Sequence, residues 1–524
     1  MKQVIAGILF GVFVAPVWGE EPKKPAPKVP LGKDTTYVTG PLDADGYVNY
    51  EAALNERLDK GIRPESNAMV LVWKALGPTP FGRTHMPPGY FKRLGIDEPP
   101  ATGDYFVDFE TYLKDHVWFA GPVWEPIFKH QRLRAMQRPW TAKDLPVIDG
   151  WLEVNEKPLA LFRQAAARAE YFNPLMAPAD KKGPGGLVNA CVPFFLHSYE
   201  LQAALASRAM LRTAEGRMDE AWQDLLACHR LGRLFARGGT VSEWYAGTRF
   251  DRLASEGYIV VLANSKLTAK QIQEFVKAVR ALAPLPPVGD KLDLTERFVI
   301  LDAAQQMHRD GPLGYYDVIG VKQPRKVDDT ERIALQKSDW APGLRTMNAW
   351  QDRLVAATRL EVRAKRDAAL EDCRRDIVDI KAEADEVDDK IDLKKVAAGP
   401  AIANCWCRRL LFWSAGTFHR LRNDQDRAEQ IERNLHVAFA LAAFRADNGR
   451  YPAKLGELVP KYLAAVPDDL FSGKALIYKP SPDGYLLYSV GPNGNDDGGR
   501  TIDDTPPGDD LAVRVPLPEL KSKK

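Results

Sequence analysis

The run YELQAALASRAMLRTAEGRMDEAWQDLLACHRLGRLFARGG, Tyr199 to Gly239, leaves the chain few choices of fold. Gly216 ends one helical pattern and Asp219-Glu220-Ala221 restarts another, so two helices must return antiparallel across a short turn. Ala203, Ala206, Ala209, Ala214 and Ala221 let the two backbones approach closely. A chain committed to such a hairpin builds its core from helices, and the same apolar spacing recurs across much of the sequence up to Asn448. YVNYEAALNERLDKG predicts a helix ending at Gly61, and ESNAMVLVWKALGP a second one stopped by Gly77-Pro78. The expected fold is mainly α: a large helical N-terminal domain with a coiled-coil segment, then a small α+β module in which a long helix packs on a short antiparallel sheet.

With 524 residues the chain exceeds what one compact core commonly uses, which predicts several domains. Residues 1–19 combine Lys2, an apolar stretch from Val4 to Val14 and Val17-Trp18-Gly19, the pattern of a signal peptide cleaved near Gly19. The mature protein is therefore expected outside the cytoplasm, periplasmic or extracellular. Residues 20–45, rich in proline and lysine at their start, are expected to form an extended linker. A helical domain over 46–345, long helices over 346–423 and a distinct C-terminal domain over 424–524 complete the division. The apolar segment AIANCWCRRLLFW is split by Arg408 and Arg409, so no transmembrane span is expected in the mature chain. The 72 basic and 70 acidic residues nearly cancel, and no nucleic-acid partner is indicated.

Leu370, Cys373, Ile377, Ile380, Ala384, Val387 and Ile391 alternate three and four residues apart, the seam of a coiled coil. That seam closes either on another helix of the same chain or, through 370–391, on a second subunit. EGRMDEAWQDLLACHRLG resembles the turn and second helix of a tetratricopeptide repeat, but no neighbour follows at a 34-residue period. Five cysteines are too few for a disulfide scaffold; they read as small buried hydrophobes, with a Cys191–Cys228 bridge as the alternative.

Catalytic signatures are missing from the sequence. The eight histidines form no H-E-x-x-H, and neither a G-x-S-x-G elbow nor a phosphate-binding loop occurs. KKGPGGL lacks the G-K-[ST] ending and reads as a turn. Cys228 and His229, adjacent on a helix, point about 100° apart, so they read as a packed thiol and a histidine at the rim. The one stretch suited to a cleft is the loop-rich region 79–145, with Phe81, His85, Tyr90, Tyr105, His116 and Trp118. An exported hydrolase with its site there is the alternative function.

The texture changes near residue 424. DRAEQIERNLHVAFALAAFRADNGRYP reads as an amphipathic helix stopped at Asn448-Gly449, and ALIYKP, SPDG and YLLYSV as strand, turn and strand. This module resembles the soluble part of a type II secretion major pseudopilin over residues 424–515. The shared elements are RADNGRYP, PDDLFSGKALIY, YLLYSVGPNG and the late GDDL. The whole arrangement is also similar to exported proteins of planctomycete-type bacteria. The pseudopilin likeness implies a calcium loop after the second strand. On that likeness Asn493 stands at the first ligating position, Val490 offers its backbone carbonyl, and Asp509 and Asp510 form the late acidic pair. From the chemistry of calcium, which seeks several oxygen ligands, Asn495, Asp496, Asp497, Asp503 and Asp504 are further candidates. Asn493 is neutral where the family has a carboxylate, a departure that weakens the expected site. A pseudopilin's apolar N-terminal helix has no counterpart before this module, so the chain is not expected to polymerise. The sequence thus suggests a non-enzymatic, exported structural or interaction protein with protein partners in the cell envelope, associated with type II secretion.

Overall fold

The computed structural model describes residues 28–80, 86–116, 125–176, 186–190, 198–311, 329–390, 400–415 and 418–520. The export signal at 1–19 lies outside them, as do Cys191, Ile391, Phe81, His85, Trp118 and most of KKGPGGL. The fold is mainly α with one small α+β module at the C-terminal end.

The helices used below are α1 (Tyr50–Leu58), α2 (Ala68–Leu76), α3 (Glu125–Gln137), α4 (Glu156–Ala166), α5 (Tyr199–Ala214), α6 (Met218–Phe235), α7 (Val241–Asn264) and α8 (Ala269–Arg280). They are followed by α9 (Arg297–Asp310), α10 (Ala341–Thr358), α11 (Arg363–Lys390), α12 (Pro400–Ala415) and α13 (Phe418–Asn448). Helices α5 and α6 form the expected hairpin, with Gly216 at φ +76° in the turn. Helix α7 opens with a capping box: Thr240 Oγ1 accepts from the Glu243 amide, and the Glu243 carboxylate accepts from the Thr240 amide. It crosses α6 at a glycine pair, where a Cβ on Gly247 would lie 2.5 Å from the Gly232 carbonyl oxygen. Only glycine allows backbones this close.

Two apolar clusters hold the helical part. One joins α2, α4, α5, α6, α7 and α8 through Trp73, Phe162, Leu205, Trp222, Phe250 and Phe275. The other joins α1, α9, α10, α11 and α12 through Phe298, Leu344, Trp350, Leu370, Trp406 and Leu410. These clusters run across residues 345 and 423, where the sequence suggested boundaries.

One expectation needs revision, and two alternatives that the sequence left open are resolved. Order begins well before Tyr47: Val29 is buried, Asn348 Nδ2 donates to the Thr35 carbonyl at 2.6 Å, and the Tyr50 hydroxyl donates to the Thr36 carbonyl at 2.8 Å. The segment 28–45 is thus packed on the body, because Val29, Thr35, Thr36 and Val38 bury themselves despite the flanking prolines. The coiled-coil seam closes within the chain, since Leu370, Cys373 and Ile377 are buried in the second cluster and the Trp350 indole donates to the Cys373 carbonyl at 3.3 Å. Finally, Cys228 is a free buried thiol rather than half of a bridge. Among the described residues no helix is long and apolar enough to cross a membrane.

The C-terminal sheet is antiparallel in the order β1 (Ile477–Pro480), β2 (Tyr485–Ser489), β3 (Leu511–Val515), with Tyr478 opposite Leu487 and Leu487 opposite Val513. Helix α13 serves two cores. Val437, Ala440, Leu441 and Phe444 pack with Leu458, Leu476, Tyr485 and Leu487 of the small module. Leu435, Ala438, Phe439 and Ala443 instead join the first cluster of the helical body.

Candidate metal centre

The chain leaves β2 at Ser489 and re-enters the sheet at Leu511, so the intervening loop has both ends anchored on α13's sheet. Asp469 ties the base. Its Oδ1 accepts from Ser489 Oγ at 2.6 Å and the Phe471 amide at 3.0 Å, and its Oδ2 from Ser472 Oγ at 2.8 Å and the Val490 amide at 3.2 Å. Next, the loop crosses its own return at Gly491. This residue has φ +68°, and a Cβ there would lie 2.2 Å from the Asp509 carbonyl oxygen, so it must be glycine.

That crossing brings acidic residues together. The Asn493 amide donates to Asp509 Oδ2 at 3.0 Å and the Asp509 amide to Asp497 Oδ2 at 3.1 Å. Asp510 Oδ2 accepts from the Gly499 amide at 2.7 Å. As a result, one carboxylate oxygen each from Asp497, Asp509 and Asp510 lies within 4.8 Å of the other two. Asp509 Oδ1 is buried without a hydrogen-bond partner. Burial raises the Asp510 carboxyl, whereas the Asp509 amide holds Asp497 below the usual carboxylate range. Two cations stand beside the trio: Arg427 Nη2 lies 3.6 Å from Asp509 Oδ2, and Arg500 Nη2 3.4 Å from Asp497 Oδ1.

The other candidates lie apart from this convergence. Asn493 turns its side-chain nitrogen, not its oxygen, toward Asp497 Oδ2 at 3.3 Å, because the oxygen accepts the Asn495 amide at 2.6 Å. Asp496 Oδ1 accepts from the Tyr488 hydroxyl and the Gly498 amide. Asp504 pairs with Arg514 at 2.6 Å and caps the Thr501 turn; the arginine holds its carboxyl far below the ordinary range. Asp503 and Asn495 are exposed, and Val490 is buried at the loop base. The donor set suits a hard, oxygen-seeking cation: three carboxylates on glycine-permitted turns, one with a buried free oxygen. The trio lies among the nine residues that the sequence offered, and no sequence signal singled it out from the other six. Sequence reasoning missed Arg427 and the anchoring role of Asp469, whose partners are distant along the chain.

Among the described residues of the region 79–145, Tyr90, Tyr105 and His116 make separate packing contacts. The Tyr90 hydroxyl donates to Asn173 Oδ1, Tyr105 to the Pro100 carbonyl at 2.6 Å, and His116 stacks on Tyr112 with ring centroids 4.5 Å apart. His229, by contrast, departs from its expected rim position. It is fully buried, with Nε2 2.7 Å from Asp251 Oδ1, because α7 crosses α6 closely enough to cover it.

Comparison with family models, with curated proteins and with solved structures finds no match.

Proposed function

We propose that the C-terminal part of this chain is a pseudopilin-like module whose β2–β3 loop binds calcium through Asp497, Asp509 and Asp510. The exported protein then acts without catalysis, as a structural or interaction component of the cell envelope that works with type II secretion. The observation that carries this reading is the convergence of three carboxylates from two separated segments at a glycine crossing. Like charges held this close repel one another, and a divalent cation removes that cost. When bound, calcium would supply a cross-link between the outgoing loop and the β3 lead-in, fixing the surface the loop presents.

Titration of the full chain with calcium by calorimetry tests it. Saturable heat and a rise in melting temperature are expected, and both should vanish in the Asp509→Ala/Asp510→Ala variant. If the wild type gives no heat and EDTA leaves its melting temperature unchanged, the proposal fails. The full chain is required because α13's second apolar face is buried in the helical body.

A further inference from the structure

Helix α13 docks on the helical body through a buried polar network as well as through apolar contact. Arg233 of α6 is its centre. Its Nε lies 2.5 Å from Asp251 Oδ1 of α7, and its Nη2 donates to Glu432 Oε2 of α13 at 2.9 Å. One guanidinium therefore ties three helices together. His229, one turn before Arg233 and 1% exposed, places Nε2 2.7 Å from the same Asp251 oxygen. Across the contact, His436 of α13 has Nε2 4.0 Å from Glu432 Oε1. The Nδ1 atoms of both histidines are buried and without hydrogen-bond partners.

Geometry fixes the protonation state that suits this network. A 2.7 Å contact with a carboxylate requires a proton on His229 Nε2, so in the neutral ring Nδ1 is an acceptor that lacks a donor. At His436, whose Nδ1 is likewise buried without a partner, a second proton would bury an N–H⁺ with no acceptor. For His436 the facing charged groups are Glu432 on its own helix, His229 and Arg233 from α6, and Arg280 from α8. With a neutral His436 ring two cations, Arg233 and Arg280, face two carboxylates, Asp251 and Glu432. Protonating that ring makes three cations face the same two carboxylates.

We propose that this contact is an acid-released latch: protonation of His436 loosens the docking of α13, and of the sheet it carries, on the helical body. The direction follows from linkage. Burial, assisted by Arg280, His229 and Arg233, holds His436 below the ordinary imidazole range. The unfolded or undocked chain therefore binds the proton more tightly, and stability present at neutral pH is lost as pH falls through about 6.5 and below. The inference is independent of calcium, since none of these groups belongs to the acidic loop.

Hydrogen exchange on the full chain, with protection corrected for the intrinsic effect of pH, tests the latch. Between pH 7.5 and 5.5 the protection of residues 428–444 should drop, by up to about tenfold for one buried imidazole kept neutral. In His436→Gln, at a partly exposed position, the drop should be smaller. An equal drop in wild type and in His436→Gln overturns the proposal.

Discussion

Asp469 shows how one side chain can carry a loop. It is 2% exposed and accepts four hydrogen bonds, from Ser489, Phe471, Ser472 and Val490, so it joins the lead into β1 to the exit of β2. Asp469→Ala leaves these donors, two of them backbone amides, without acceptors, and is expected to cost about 3 kcal/mol, read from the urea midpoint. At the acidic trio, residue-scale electrostatics set the response to calcium. Burial raises the Asp510 carboxyl, so protons compete for it at a higher pH than for an ordinary aspartate. Calcium affinity should fall as pH drops toward that carboxyl's range, and a calorimetric titration at pH 7.5 and 5 checks the sign. Arg427, 3.6 Å from Asp509 and about one-third exposed, competes with the cation for the same carboxylate. Arg427→Gln should tighten calcium binding roughly threefold, a modest change because solvent screens the pair.

At the scale of elements, α13 is the informative case. Its apolar positions fall on two faces, with Phe439 against Trp222 at a ring separation of 5.9 Å and Leu441 against the sheet. Phe439→Ala should destabilise the full chain by about 4 kcal/mol, through lost burial and the cavity left behind. An isolated 424–524 fragment would expose Leu435, Ala438 and Phe439 together and should self-associate, which sedimentation can measure. The helix, its stop at Asn448-Gly449 and the strand pair were legible in the sequence because capping, turn chemistry and apolar period act within a few residues. Which face of α13 meets which core was not, since an apolar stripe does not name the neighbour it serves. The seam at Leu370, Cys373 and Ile377 was equally readable as a pattern, yet its partner was fixed only by tertiary packing. His229 was misplaced for the same reason: its cover comes from α7 crossing at Gly232 and Gly247, a contact with no local signature.

For the molecule as a whole, the question is whether a signal in the loop stays in the small module. Helix α13 lends residues to both the first helical cluster and the module's core, and Arg366 of α11 pairs with the buried Asp426 of α13 at 2.6 Å. Breaking the module's core therefore strips cover from Trp222 and Tyr258, and breaking the body strips cover from α13. The chain should melt as one cooperative unit, a statement that magnitudes can check. Calcium at a hundred times its dissociation constant stabilises the folded state by about 2.7 kcal/mol. Spread over the unfolding entropy of the 524-residue chain, this raises the melting temperature by about 2–3 °C. Confined to a module of roughly a hundred residues, the same free energy would move a separate transition by more than about 10 °C. Scanning calorimetry of the full chain should give a single endotherm with the small shift. Two endotherms, only one of them moved by calcium and by the larger amount, would mean that α13 does not couple the two cores.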